Sequence, residues 1–166
     1  MIQITIGLGS NIDNPGHQLQ QGLRALGGLP QSHLLGVSKV YKSAPIGPQD
    51  QPYFLNAVAI MNTALDPLGV LDQLQAIETQ MGRVKTRHWG ERCIDLDLLL
   101  YAQKQVKLPR LTLPHPGIAE RSFVLHPMMD VLGADFEMPD GQVLGRLATD
   151  CPQPWAQATE LSLSWC

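Results

Sequence analysis

Asp95 and Asp97 lie two residues apart in the stretch Cys93-Ile94-Asp95-Leu96-Asp97-Leu98-Leu99-Leu100, whose alternation has the period of a strand. At that spacing both carboxylates leave the same face, with Cα atoms roughly 7 Å apart, so they can converge on one ligand. Taken alone, the pair reads as the wet face of an amphipathic strand. Two features shift the reading. Aspartate is a poor strand former, and Leu99 continues the same face as an apolar residue. Like charges held together there repel unless a cation joins them, and hard oxygen donors with no His or Cys cluster beside them favour Mg2+ over zinc.

Four of the 12 Lys and Arg residues, namely Arg83, Lys85, Arg87 and Arg92, fall within the ten residues before that strand, with His88 among them. Without the aspartates this would be a solvated loop. With them it matches the needs of phosphoryl chemistry, in which Mg2+ and fork-shaped guanidinium groups spread the charge of a polyphosphate. Arg110, Thr112, His115 and Arg121 offer a second set of phosphate-competent donors, each of which singly reads as a surface residue. Trp89 sits in the polar connection, where a core position is improbable, and is expected to cover a ligand. Gly7-Leu8-Gly9-Ser10-Asn11-Ile12 has isoleucine at the third glycine position of a dinucleotide fingerprint, and no GxxxxGK[ST] occurs, so neither a Rossmann nor a Walker site is supported.

The elements that must hold these groups follow from periodicity and punctuation. Ile2, Ile4, Ile6 and Leu8 alternate with Gln3, Thr5 and Gly7 and predict a first strand ending at Gly9-Ser10-Asn11. Leu19, Leu23 and Leu26 predict a helix over 15–26, stopped by Gly27-Gly28 and Pro30. Residues 34–41 and 54–62 read as two further strands, separated by a proline-rich connection too long for a simple hairpin. Asp66-Pro67 caps a second helix with Leu68, Leu71, Leu74, Ile77 and Met81 on one stripe before Gly82. After the strand carrying the aspartates, 105–108 reads as a short edge strand, 123–132 as a helix and Asp140-Gly141 as a turn. The expected fold is α+β: a ferredoxin-like βαββαβ sandwich with both helices on one face of an antiparallel sheet, plus a C-terminal hairpin and helices.

With 166 residues, 44% hydrophobic and 16% charged, the chain suits one domain over 1–166. A formal charge of -3 disfavours a nucleic-acid partner. No basic residue precedes Arg24 and no apolar run reaches the ~20 residues of a membrane span, so neither export nor a membrane partner is expected. Cys93, Cys151 and Cys166 are odd in number and form no CxxC pair, which points to a reducing cytoplasm rather than a disulfide framework.

Gly9-Ser10-Asn11, Gly47-Pro48-Gln49-Asp50-Gln51-Pro52, Leu55-Asn56, Gly82-Arg83, the run from Trp89-Gly90-Glu91-Arg92 through Asp97, and Leu113-Pro114-His115-Pro116 with Arg121 and Phe123 resemble the 6-hydroxymethyl-7,8-dihydropterin pyrophosphokinases, over residues 1 to about 141. The resemblance implies a monomeric enzyme of folate biosynthesis that converts ATP and 6-hydroxymethyl-7,8-dihydropterin to AMP and the pterin diphosphate. It implies that Asp95 and Asp97 bind two Mg2+ ions and that Arg83 and Arg92 stabilise the transferring phosphates. Gln75, Glu78, Lys85, Trp89, Arg92, Ile94, Leu98, Arg110, Thr112, His115 and Arg121 would surround ATP. Ser43, Ala44, Ile46, Phe54, Asn56, Trp89 and Phe123 would form the pterin pocket, with Phe54 and Phe123 sandwiching the ring and Asn56 reading its edge.

This chain departs from familiar members at Phe54 and Pro116, where tyrosine is common, at Ala44, where proline is common, and at Lys85, where arginine is common; the loop before Trp89 is one residue shorter. The connections 43–52 and 83–92 are expected to be lids that close over bound substrates. Two other readings share parts of the pattern. A nucleotidyltransferase or phosphodiesterase would use the same carboxylates and cations, whereas a catalytically silent ATP- or pterin-binding module is disfavoured by the presence of the metal ligands and both arginines.

Overall fold

A computed structural model describes residues 1–12, 14–44, 52–82, 93–152 and 156–165. Ile46, Arg83, Lys85, His88, Trp89 and Arg92, and most of both expected lids, lie outside the described residues.

The centre of the fold is β1, Ile2–Ser10, because it is paired on both sides. It runs antiparallel to β4, Phe54–Thr63, and to β5, Asp95–Tyr101, and the sheet continues beyond β4 in the order β5-β1-β4-β3-β8. β2, Ser32–Val37, also pairs with β4, so β5, β1, β4 and the β2/β3 strands reproduce the expected ferredoxin-like arrangement. The expected strand over 34–41 is divided into β2 and β3, Tyr41–Ser43. The break sits at Ser38, whose N–H donates to Val58 O at 2.8 Å while its hydroxyl, in place of a main-chain carbonyl, accepts from Val58 N–H at 2.8 Å. A serine side chain thus carries the ladder through the kink without leaving a buried N–H unmatched.

α1, Pro15–Gly27, and α2, Pro67–Gln80, both begin with proline at the first helical position, where the missing N–H costs nothing. Asn14 Oδ1 accepts from His17 N–H at 3.4 Å, and Asp66 Oδ1 accepts from Gly69 N–H at 2.8 Å. Leu19, Leu23 and Leu26 of α1 and Val70, Leu74 and Ile77 of α2 are buried against Ile4, Ile6, Leu8, Ala57, Ala59, Met61, Leu96 and Leu98. This is the first face of the sheet, and it carries the larger core.

The second face is covered only in part. α3, Ser122–Leu132, and α4, Leu144–Asp150, pack Leu125, Met128 and Leu144 on Val58, Leu99 and Leu100. The segment expected as an edge strand instead forms a hairpin of its own, β6 (Val106–Lys107) with β7 (Thr112–Leu113), closed by reciprocal backbone bonds between Leu108 and Leu111. β8, Gln157–Ala158, pairs with β3, and the chain then crosses to α1, where Gln20 exchanges side-chain hydrogen bonds with Ser164 N–H (2.9 Å) and O (2.7 Å).

Candidate active site

Because the helices of the second face stop short, part of the sheet there is left bare. Alternation along β5 buries Leu96 and Leu98 under α1 and α2 and turns Asp95, Asp97 and Leu99 to that open side. Across the β1–β5 ladder, Asp95 stands opposite Gly9 and Asp97 opposite Gly7. A side chain on either glycine would fill the floor: a Cβ at Gly7 would meet Leu99 at 3.4 Å, and one at Gly9 would lie 3.2 Å from Asn56 Oδ1. The paired glycines, unsuited to a dinucleotide turn, therefore keep the sheet bare beneath the carboxylates. Their spacing of two on a strand was the signal available in the sequence.

Over this floor lies a cleft of about 350 Å³. Its walls include Ser43 and Ala44 at the end of β3, Phe54, Asn56 and Val58 on β4, Asp95, Asp97 and Leu99 on β5, Phe123 and Val124 in the first turn of α3, and His115 and Arg121 from the connection before it. The rings of Phe54 and Phe123 are half-buried. Asn56 is buried and donates from Nδ2 to Ser43 Oγ at 2.8 Å, which fixes the orientation of its amide.

A second cleft of about 290 Å³ adjoins the first and shares Asp97 and His115 with it. Leu71, Leu96, Leu98, Leu111, Arg110, Thr112, Pro109 and Pro116 complete its lining. Arg110 Nη2 bonds Asp72 Oδ1 at 2.6 Å and Gln75 Oε1 at 3.3 Å, so the α2 side of this cleft holds a guanidinium at its rim. Both partners of the ion pair are about half exposed, and the pair adds little stability.

His115 joins the two clefts. Its N–H donates to Leu99 O at 3.0 Å, and its Nδ1 accepts from Gly117 N–H at 3.1 Å. A nitrogen that accepts from an amide carries no proton, so the neutral ring holds its hydrogen on Nε2 as a donor. Burial pushes its pKa below 6.5; Asp97 opposes the shift and Arg121 adds to it. The ring is thus kept neutral between a carboxylate and a guanidinium.

Of the residues anticipated for the pterin, Ser43, Ala44, Phe54, Asn56 and Phe123 line the first cleft, together with Asp95, Asp97, His115 and Arg121. Of those anticipated for ATP, Leu98, Arg110, Thr112 and His115 line the second, with Gln75 bonded to Arg110. The side chains of Glu78 and Ile94 face the protein interior instead: Glu78 is 6% exposed and its Oε2 accepts from Leu96 N–H at 2.9 Å, while Ile94 is fully buried. Glu78 therefore fastens the start of β5 to α2. Gly7, Gly9, Leu71, Leu99 and Val124 also belong to the clefts, where they supply shape rather than polar groups; of these, the sequence marks Leu99 as continuing the aspartate face and Gly7 and Gly9 as a fragment of a dinucleotide fingerprint, and gives no sign of Leu71 or Val124 at a site.

Residues 5–133 match the family described as 7,8-dihydro-6-hydroxymethylpterin-pyrophosphokinase (HPPK). The chain is 47% identical over 153 residues to a 2-amino-4-hydroxy-6-hydroxymethyldihydropteridine pyrophosphokinase of Pseudomonas aeruginosa, covering 92% of this chain and 94% of that protein. It is 46% identical over 147 residues to the protein of the same name from Haemophilus influenzae, covering 89% and 91%. Among solved structures it is similar to Plasmodium falciparum HPPK-DHPS with pteroate, with a TM-score of 0.68 at 13% identity. That likeness covers 88% of this chain but 43% of the solved one, so it supports the fold alone.

Proposed function

The chain belongs to the 7,8-dihydro-6-hydroxymethylpterin-pyrophosphokinase family, and from that premise we propose that it transfers pyrophosphate from ATP to the hydroxymethyl group of 6-hydroxymethyl-7,8-dihydropterin, giving AMP and the pterin diphosphate for folate biosynthesis. The observation that carries this reading is the pair of adjoining clefts that share Asp97 and His115. One has the dimensions and aromatic walls for a flat heterocycle. The other has the cationic rim for a nucleotide.

In this reading the pterin slides between Phe54 and Phe123, with Ser43 and Asn56 at its edge, and its hydroxymethyl oxygen comes to rest near Asp95 and Asp97. ATP occupies the second cleft, its phosphates meeting Arg110, Thr112, the Nε2–H of His115 and Arg121. The walls then hold the attacking oxygen and the β-phosphorus together, which turns an encounter of two solutes into a reaction within one complex. Arg83 and Arg92 are assigned to the transferring phosphates by the resemblance. The chain works as a single catalytic domain and a monomer in the cytoplasm.

The donor set also fits the metal. Among the described residues no group of three His, Cys, Asp or Glu converges, and the carboxylates that line the first cleft are Asp95 and Asp97. Two carboxylate-bearing side chains suit Mg2+, which keeps waters and takes its remaining oxygens from substrate phosphates. When bound, two such ions would offset most of the negative charge of the triphosphate and the aspartates.

Phosphorus NMR of a reaction with ATP, Mg2+ and the pterin tests the proposal. AMP and a pterin diphosphate in equal amounts are expected, and ADP with a pterin monophosphate would sink it. Asp97→Ala should lose turnover on the order of 100-fold or more while melting like the parent, because an exposed carboxylate on the open face supports no core.

A further inference from the structure

The two walls of the first cleft are tied together at a point outside it. α3 brings Phe123 to the cleft, and three and seven residues further on, at positions that return to the same side of a helix, stand His126 and Asp130. His126 stacks on the ring of Tyr41 with centroids 6.2 Å apart and planes 23° from parallel. The Tyr41 hydroxyl donates to both carboxylate oxygens of Asp130 at 3.0 Å, and Lys39 N–H donates to Asp130 Oδ2 at 3.2 Å. On β3, Tyr41 and Ser43 leave the same face, and Ser43 is a wall of the cleft. One helix stripe and one strand face therefore carry both the cleft walls and the tie between them.

The backbone of α3 needs such a tie. Pro127 lies inside the helix and has no N–H to offer the carbonyl of Phe123, four residues earlier. The turn that bears Phe123 and Val124 is thus held to the rest of the helix by one bond fewer. Tyr41 spans the interruption, stacking on His126 before the proline and bonding Asp130 after it. Apolar packing alone would tolerate sliding here, whereas a hydroxyl shared between two carboxylate oxygens is directional.

We infer that Tyr41 and Asp130 are positioning residues for the pterin: their hydrogen bonds, splinted by the His126 stack, hold Phe123 at the distance from Ser43 and Asn56 that the flat ring requires. The inference rests on the assignment of the first cleft to the pterin. Tyr41→Phe keeps the ring and its stack and removes only the hydroxyl, and Asp130→Ala removes an exposed carboxylate, so both variants should fold.

Pterin affinity is read from the quenching of pterin fluorescence and ATP affinity from calorimetry, at a temperature below every melting midpoint so that lost stability does not mimic lost affinity. Each variant is expected to bind the pterin about tenfold more weakly, the scale of a hydrogen bond to a charged group, with ATP affinity unchanged. The double variant should be no weaker than the weaker single one, because both changes open the same latch. Unchanged pterin affinity in both single variants, or ATP affinity falling in step with it, would overturn the inference. If the parent itself bound ATP but no pterin, the assignment of the cleft would fall first and the latch with it, an outcome distinct from a parent that binds and variants that bind equally well.

Discussion

Among the described residues, His115 is one of the two that line both clefts. Its lowered pKa has a consequence for stability whose sign follows from proton counting. Burial, aided by Arg121 and opposed by Asp97, makes the folded chain bind fewer protons at this residue than the unfolded chain, whose histidine titrates near 6.5. Stability therefore falls as the pH drops from 6.5 through the lowered folded value. Urea midpoints measured across that window should decline in the parent and less steeply in His115→Gln; parallel slopes would count against a buried neutral ring. At this scale the polar lining of the two clefts was legible in the sequence. Asp95, Asp97, Arg110, Thr112, His115 and Arg121 announce themselves by charge and spacing, whereas Gly7, Gly9 and Leu99 shape the same floor without any chemical signature. Glu78 was grouped with the nucleotide residues, yet its carboxylate bonds the backbone of β5, a role that depends on a helix-to-strand approach no local pattern encodes.

Elements were easier to read where one residue decides. Asp66-Pro67 announces α2, and the cap forms as its chemistry demands, with Asp66 Oδ1 2.8 Å from Gly69 N. Asp66→Ala should cost about 1 kcal/mol, since the freed N–H can turn to water. Leu74→Ala, on the same helix but fully buried, should cost about 2–5 kcal/mol, because the sheet beneath cannot collapse into the vacated space. Denaturant melts that found the two equal would contradict this account of what holds α2. The single strand expected over 34–41 is two elements in the structure. Its residues suit a strand throughout, but Ser38 replaces a main-chain acceptor with its own hydroxyl and allows the chain to bend between β2 and β3. Without that bend the ladder would not re-form at Tyr41↔Asn56, the register that sets Ser43 opposite Phe54.

For the whole molecule, the order of strands and helices through β5 was readable, apart from the β2/β3 break at Ser38, because every other connection carries Gly, Pro, Asn or Asp, while the fate of the second sheet face was not. Whether α3 and α4 would cover all of it or stop short depends on where Pro127 and the preceding connection aim the chain, and that incomplete coverage is what leaves room for the first cleft. The closing segment carries a further consequence. β8 occupies the outer edge of β3, Thr159 donates its N–H and hydroxyl to Val40 O, and Leu163 reaches the first core before Ser164 meets Gln20. Removing residues from 156 onward would uncover the main-chain donors and acceptors of Tyr41 and Lys42, an open row to which another copy could add itself. Sedimentation of the shortened chain should show association that grows with concentration, and a shortened chain that stayed dispersed at every concentration would refute this. On this account the segment is a hem on the sheet: it closes the edge that would otherwise be open to a second copy.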